Sequence, residues 1–239
     1  MGTVFNAVEI EVNSHCNRKC WYCPSGRKER VEQGEMSVEL FETLMLQLRN
    51  IGYSGRVNFN FFGEPLLCNN LDHFVKSTRL NLPNAYLFLA SNGDYLDQKR
   101  IEELIQAGID MFNVTQHCGT ESMFTRVFPD IPEDIKSKIY YRNYTDIRLH
   151  NRSGIIDELQ REGMEQQPCH LPSEQVIITV LGNVLPCCDD FDQKNVMGNI
   201  TETNLVDIWN SSKFNTFREN LLAGNRAYYD ACKMCDHIS

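Results

Sequence analysis

Val8, Ile10 and Val12 alternate with Glu9 and Glu11, a pattern that predicts a half-buried strand running into a cysteine loop. After a Gly- and charge-rich stretch, Ser37 stands where it can cap a helix whose Phe41, Leu44, Met45 and Leu48 recur at helical spacing. Val57, Phe59 and Phe61 alternate with Asn58 and Asn60 and predict a second strand; Leu71, Phe74 and Val75 predict a short helix after it. A third strand over Ala85 to Ser91, a helix near Ile101, Leu104 and Ile105, a fourth strand over Met111 to His117 and a fifth over Lys138 to Tyr144 continue the series. Strand alternating with helix implies a parallel sheet with right-handed crossovers. A closed eight-fold barrel needs more chain than this, so the expected class is α/β, a partial parallel (β/α) barrel. Polar residues collect where the strands end: Asn13, Gly63–Glu64, Ser91–Asn92 and Gln116–His117. That edge carries the site in parallel α/β architectures.

From Cys169 the texture changes. Val176 to Leu181, a turn at Gly182-Asn183 and Val184 to Pro186 predict a β-hairpin, followed by helical segments around Leu205–Trp209 and Phe214–Leu222. The expected organisation is a barrel domain over 1–150, a linker over 151–168 and a small hairpin-plus-helix domain over 169–239.

Composition narrows the function. The 239 residues, 42% of them hydrophobic, support one core with a small appendage. The formal charge of −9, with no run of Lys or Arg, argues against a nucleic-acid or anionic-membrane surface. No apolar stretch approaches membrane-spanning length and Met1 to Val12 lacks the layout of a signal peptide, so the expected compartment is the cytoplasm. Ten cysteines are many for that reducing environment. Cys16, Cys20 and Cys23 cluster near one end, and Cys169, Cys187, Cys188, Cys232 and Cys235 near the other, which favours two metal sites over a disulfide framework.

Three thiolates on one tight loop can bind three irons of a cubane and leave the fourth iron open. A structural zinc ion takes four protein ligands. With His15 as a fourth ligand the loop would suit zinc, and unliganded buried thiols are a plainer alternative.

The spacing C-x3-C-x2-C, with Tyr22 just before the last cysteine, resembles the radical S-adenosylmethionine (SAM) superfamily. The resemblance implies that the open iron binds the amino and carboxylate groups of SAM, whose reductive cleavage by an external one-electron donor such as flavodoxin or ferredoxin yields a 5′-deoxyadenosyl radical. Tyr22 is then expected near the adenine. Phe62-Gly63-Glu64-Pro65 resembles the family's GGEP motif, which contacts the methionine amino group, although Phe62 replaces the first glycine. Ser91 and Asn92 match positions of ribose or carboxylate contacts, and Gln116 is a further candidate contact at a strand end.

Cys169, Gly182-x4-Cys187, Gly198-Asn199-Ile200 before Trp209, and Cys232-x2-Cys235 resemble the shortened SPASM, or twitch, domain. This implies a second [4Fe–4S] cluster held by Cys169, Cys187, Cys232 and Cys235, in an electron-transfer role because no iron is left open. A four-cysteine zinc ribbon is the alternative, and Cys188 is a possible replacement ligand.

Across nearly its whole length the chain is similar to twitch-domain radical SAM dehydrogenases that oxidise a secondary alcohol of an aminocyclitol to a ketone. The resemblance implies hydrogen removal from the carbinol carbon, loss of the hydroxyl proton and passage of an electron to the auxiliary cluster. Arg152 is implied at the substrate hydroxyl, where a guanidinium stabilises a developing alkoxide. Phe62 and Ala90 stand where that group is expected to carry tyrosines, and Cys188-Asp189 where Phe-Glu is expected; these differences bear on the substrate. Cys118 motivates a rival reading, an epimerase that returns a hydrogen atom to a cyclitol or sugar from the thiol of Cys118 or Cys188. A third reading is a non-catalytic iron–sulfur or zinc binding module, against which the intact cysteine loop and Glu64 speak.

Overall fold

The computed structural model describes residues 5–161 and 166–237. The expected linker therefore includes positions, 162–165, that lie outside the described residues, as does the start of the Met1–Val12 segment.

Five parallel strands form the expected series: β1 (Ala7–Ile10), β2 (Arg56–Asn58), β3 (Tyr86–Ser91), β4 (Met111–Gln116) and β5 (Ile139–Asn143). Helices α1 (Val38–Asn50), α2 (Leu71–Asn81) and α3 (Gln98–Ala107) form the first three crossovers. Ser37 caps α1 by accepting from the Leu40 N–H at 3.2 Å, and Asp97 caps α3 by accepting from the Arg100 N–H at 2.7 Å. Phe41, Leu44, Met45 and Leu48 turn inward together, and Phe41 stacks on Phe74 of α2 at 4.1 Å. The helices thus cover one face of the sheet with a continuous apolar layer that includes Val8, Ile10, Val57 and Leu87.

The C-terminal hairpin joins this sheet. β6 (Gln175–Ile178) pairs parallel with β1, and β7 (Asn183–Leu185) and β8 (Gly198–Asn199) continue antiparallel. The full order is β5-β4-β3-β2-β1-β6-β7-β8, so the sheet runs unbroken across the expected domain boundary. Helices α4 (Leu205–Trp209) and α5 (Ser212–Leu222) follow as the spacing predicts. Among the described residues no helix is long and apolar enough to cross a membrane.

Three boundaries differ from the pattern by more than one residue. β1 closes at Ile10 rather than Val12, and β2 ends at Asn58, leaving Phe59–Gly63 free to curl over the strand ends. The hairpin turn is earlier than expected. Gly182 takes φ +86° and donates its N–H to the Thr179 carbonyl, which puts Val180 and Leu181 in the turn.

Candidate active site

The loop after β1 is held against the turn after β2 by close backbone contact. Asn13 donates to the carbonyls of His15 and Glu64, and the Glu64 N–H donates to His15 O at 2.8 Å. A Cβ on Gly63 would lie 1.9 Å from the Asn13 carbonyl oxygen, so only glycine permits this approach. Arg18 fixes the far side of the loop. Its guanidinium grips Asp94 at 2.7 and 2.6 Å and donates to the Thr120 carbonyl, bridging the ends of β3 and β4.

Cys16, Cys20 and Cys23 consequently line one cavity of about 320 Å³ at the strand ends, together with Tyr22, Gly63, Glu64, Ser91 and Asn92. Glu64 is fully enclosed. Its carboxylate accepts from Ser91 Oγ at 2.8 Å, from the Asn92 N–H at 2.9 Å and from the Leu66 N–H at 3.3 Å. Burial outweighs these bonds and pushes its carboxyl up to about 7. The Asn92 amide donates to Asn17 on the cysteine loop. Tyr22 pairs with His117 Nδ1 at 2.6 Å and stacks on Tyr144 with centroids 5.4 Å apart. Burial and the nearby Arg18 hold His117 down at about 4, so its imidazole is neutral.

Two expected site residues are placed elsewhere. Gln116 turns its amide into the 116–125 turn, donating to His117 and Thr120 carbonyls and accepting from the Ser122 N–H and Thr125 Oγ1. Both ends of the amide are committed to that turn rather than to the cavity. The Cys118 thiol sits against Cys20, where it helps to push the Cys20 thiol up to about 12, although burial is the larger cause. Cys118 is thus a neighbour of a loop cysteine, whereas Cys188 lines the cavity itself.

The opposite wall comes from the segment after β5 and from the hairpin. Arg152 has φ +49° and Ser153 φ +57°, a left-handed backbone that non-glycine residues rarely adopt. Arg152 Nη1 reaches Asp189 Oδ1 at 2.9 Å. Asp189 has no solvent exposure and also pairs with His150 at 2.9 Å and His237 at 2.7 Å. Despite burial, these partners hold its carboxyl well below the usual range. Sequence reasoning missed the two histidines, which lie far apart in the chain and carry no spacing signal. It also passed over Glu9. Desolvation inside the cavity pushes Glu9 up to about 7 against the opposing charge of Arg56 and a bond from Asn58.

A second cavity is lined by Cys169, Cys187, Cys232 and Cys235. Burial and the neighbouring Asp189 charge push Cys235 up to about 12, and burial and the Cys235 charge raise Cys232. Thiols raised in this way become thiolates when cations bind among them. The donor sets fit iron–sulfur clusters: three cysteines on one loop leave one iron open, and four cysteines close a second cluster. Among the described residues, the groups of three or more possible ligands within 4.8 Å are His150–Asp189–His237 and Cys187–Cys188–Asp189. Consecutive residues join the two cavities: Cys187 lines one, Cys188 the other.

Comparison with known proteins agrees with this geometry. Residues 10–149 match the radical SAM superfamily model, and residues 169–236 match SPASM, an iron–sulfur cluster-binding domain. The chain is 45% identical to the S-adenosyl-L-methionine-dependent 2-deoxy-scyllo-inosamine dehydrogenase of Niallia circulans, over 100% of this chain and 96% of that one. It superposes with TM-score 0.96 on the crystal structure of BtrN in complex with AdoMet and 2-DOIA, at 45% identity and over 100% and 96% of the two chains. Against BtrN in an open conformation the TM-score is 0.81 at 41% identity, covering 100% and 95%.

Proposed function

The chain belongs to the radical SAM superfamily, and on that premise we propose that it oxidises a secondary alcohol of an aminocyclitol to a ketone. Cys16, Cys20 and Cys23 hold the first [4Fe–4S] cluster; Glu64, Ser91, Asn92 and Tyr22 receive SAM; Cys169, Cys187, Cys232 and Cys235 hold the second cluster. When bound, these groups supply a hydrogen-abstracting carbon radical on one side and an electron acceptor on the other. The chain's own residues position the substrate and handle its proton. Arg152 presents a fixed cation to the hydroxyl and favours its ionised form. Phe62 and Tyr22 line the cavity with ring surface, and Tyr144 stacks on Tyr22, an arrangement that limits water. A flavodoxin- or ferredoxin-type donor supplies the reducing electron, and the cytoplasm is the compartment that keeps these thiols available.

The observation that carries this reading is the junction at Cys187-Cys188-Asp189. One short segment supplies a wall of the substrate cavity, a ligand of the second cavity and the partner of Arg152. An oxidation needs that proximity, because the electron left on the substrate must leave it. The domain division we favour remains 1–150, 151–168 and 169–239, with linker residues Arg152 and Ser153 reaching the first and second cavities.

The epimerase reading is supported by one residue, Cys188, whose thiol lines the cavity where a hydrogen donor would stand. Anaerobic turnover of 2-deoxy-scyllo-inosamine in deuterated buffer separates the two. The expected product is a ketone without carbon-bound deuterium; a stereoinverted, deuterated alcohol defeats the dehydrogenase reading.

A further inference from the structure

Two carboxamides in the barrel cavity have no partner in the protein. Asn60 and Asn113 both line it, and the Oδ1 of each is shielded from solvent yet accepts no hydrogen bond. Asn13 and Asn92 at this end of the sheet are committed internally, to His15 and Glu64 and to Asn17 and Asp94, while Asn58, with an Oδ1 likewise unpartnered, donates its amide to Glu9 and does not line the cavity.

Strand register brings the pair together. Asn113 is the parallel partner of Ala90 on β3, and Asn58 is the partner of Phe88. Ala90 stands two residues beyond Phe88, and Asn60 lies two residues past the end of β2, the strand on the other side of β3, so Asn60 and Asn113 flank the end of β3 in the same cavity. Ala90 also lines the cavity, and its methyl group fills little of the space between the two amides.

Buried polar groups in folded proteins are almost always partnered, and two unpartnered amide oxygens on residues that line one cavity point to a ligand that completes them. The chemistry of that ligand follows from the amides. Each offers one acceptor and one donor end, and a hydroxyl both donates and accepts. A ring hydroxyl seated between an amide oxygen and a facing NH2 therefore satisfies both, whereas a methylene satisfies neither. An ammonium has a better partner in the same cavity, the Glu9 carboxylate.

We propose that Asn60 and Asn113, on either side of Ala90, form a subsite that reads one hydroxyl of the substrate ring and selects it against its deoxy counterpart. The inference rests on the aminocyclitol reading above.

The test is anaerobic calorimetric binding to the SAM-loaded holoenzyme, with scyllo-inosamine and its singly deoxygenated derivatives as probes. One deoxy ring should bind about tenfold more weakly than the parent. Asn113→Leu and Asn60→Leu should each bring the parent-to-deoxy ratio for that same ring close to one. Iron content on the same samples reports folding, and agreement of two variants on one ring position excludes a general disturbance. Ratios that stay unchanged in both variants overturn the subsite, as does failure of every ring to bind. Ketone formation is assayed separately: rings that bind selectively but are never oxidised overturn the dehydrogenase reading and leave the subsite standing.

Discussion

Arg152 donates to Asp189 across 2.9 Å, and the N–H of that same aspartate reaches Cys187 Sγ at 3.3 Å. A cation lining the first cavity and a cysteine lining the second are thus fixed by one residue. The strained backbone at Arg152, φ +49°, is held by this ion pair and by neighbouring Asn151, whose N–H donates to Asp236 Oδ1 and which lies fully buried. The segment between the two cavities is organised from the C-terminal side of the chain.

Asp189→Asn is expected to weaken both fold and chemistry. The substitution removes the fully buried carboxylate that Arg152, His150 and His237 share. Removing one partner of a buried ion pair costs roughly 3 kcal/mol. Anaerobic thermal unfolding should show a lowered midpoint. Ketone formation should fall further than SAM cleavage, because Arg152 is misplaced while the first cysteine loop is untouched. Equal losses in both would place Asp189 in the fold alone.

Stability should depend on pH through Glu64. Its folded pKa of about 7 lies above the ordinary 4.5, so the folded chain keeps a proton that the unfolded chain releases between those values. The contribution is therefore full below pH 4.5 and is lost as pH rises through 7, by up to about 3 kcal/mol. Glu9 follows the same course. His117, held neutral with a pKa of about 4, opposes this in part, because stability from a lowered histidine grows as pH rises towards 6.5. In cluster-free, SAM-free protein the urea midpoint should still fall from pH 5 to pH 8, and Glu64→Gln should remove most of that fall. A wild-type midpoint that rises over this range contradicts the assignment.

Much of this was legible in the sequence, and the failures have physical causes. The strands, the caps at Ser37 and both cysteine groups follow from periodicity and spacing. The polar positions of β1 did not: Glu9 and Glu11 look solvent-facing in an alternating strand, but in a curved parallel sheet that face is the barrel interior. Glu11 is buried against Arg30 at 2.9 Å, and Glu9 lines the cavity. Gln116 was misread because a polar residue at a strand end can serve the following turn as well as a ligand. The His150–Asp189–His237 contact joins residues distant in sequence, so no local pattern announces it. The pairing of β6 with β1 is likewise a long-range choice that a hairpin motif does not encode.

The two cysteine sets should separate on substitution. Anaerobically reconstituted chain is expected to carry about eight irons, two four-iron clusters. Cys16→Ala should lower this to about four and abolish formation of 5′-deoxyadenosine. Cys235→Ala should also lower it to about four, yet leave SAM cleavage measurable while ketone formation is lost. Iron analysis and product chromatography read both. Retained 5′-deoxyadenosine in Cys16→Ala would refute the first assignment, and unchanged iron in Cys235→Ala the second.

Gly63→Ala tests whether the site is built by backbone approach. The added Cβ would meet the Asn13 carbonyl at 1.9 Å, and neither chain can retreat without breaking bonds that join them. Those bonds are the Glu64 N–H to His15 O and the Asn13 amide to Glu64 O. Overpacking of this kind costs roughly 1–3 kcal/mol. The larger expected effect is on position: displacing Gly63 moves Glu64 away from Ser91 and Asn92, the contacts that aim it at the cavity. SAM affinity, measured by equilibrium dialysis on cluster-loaded protein, should fall at least tenfold while iron content stays near wild type. If SAM binds as tightly to Gly63→Ala as to the parent chain, the close contact between these two turns is not what places Glu64.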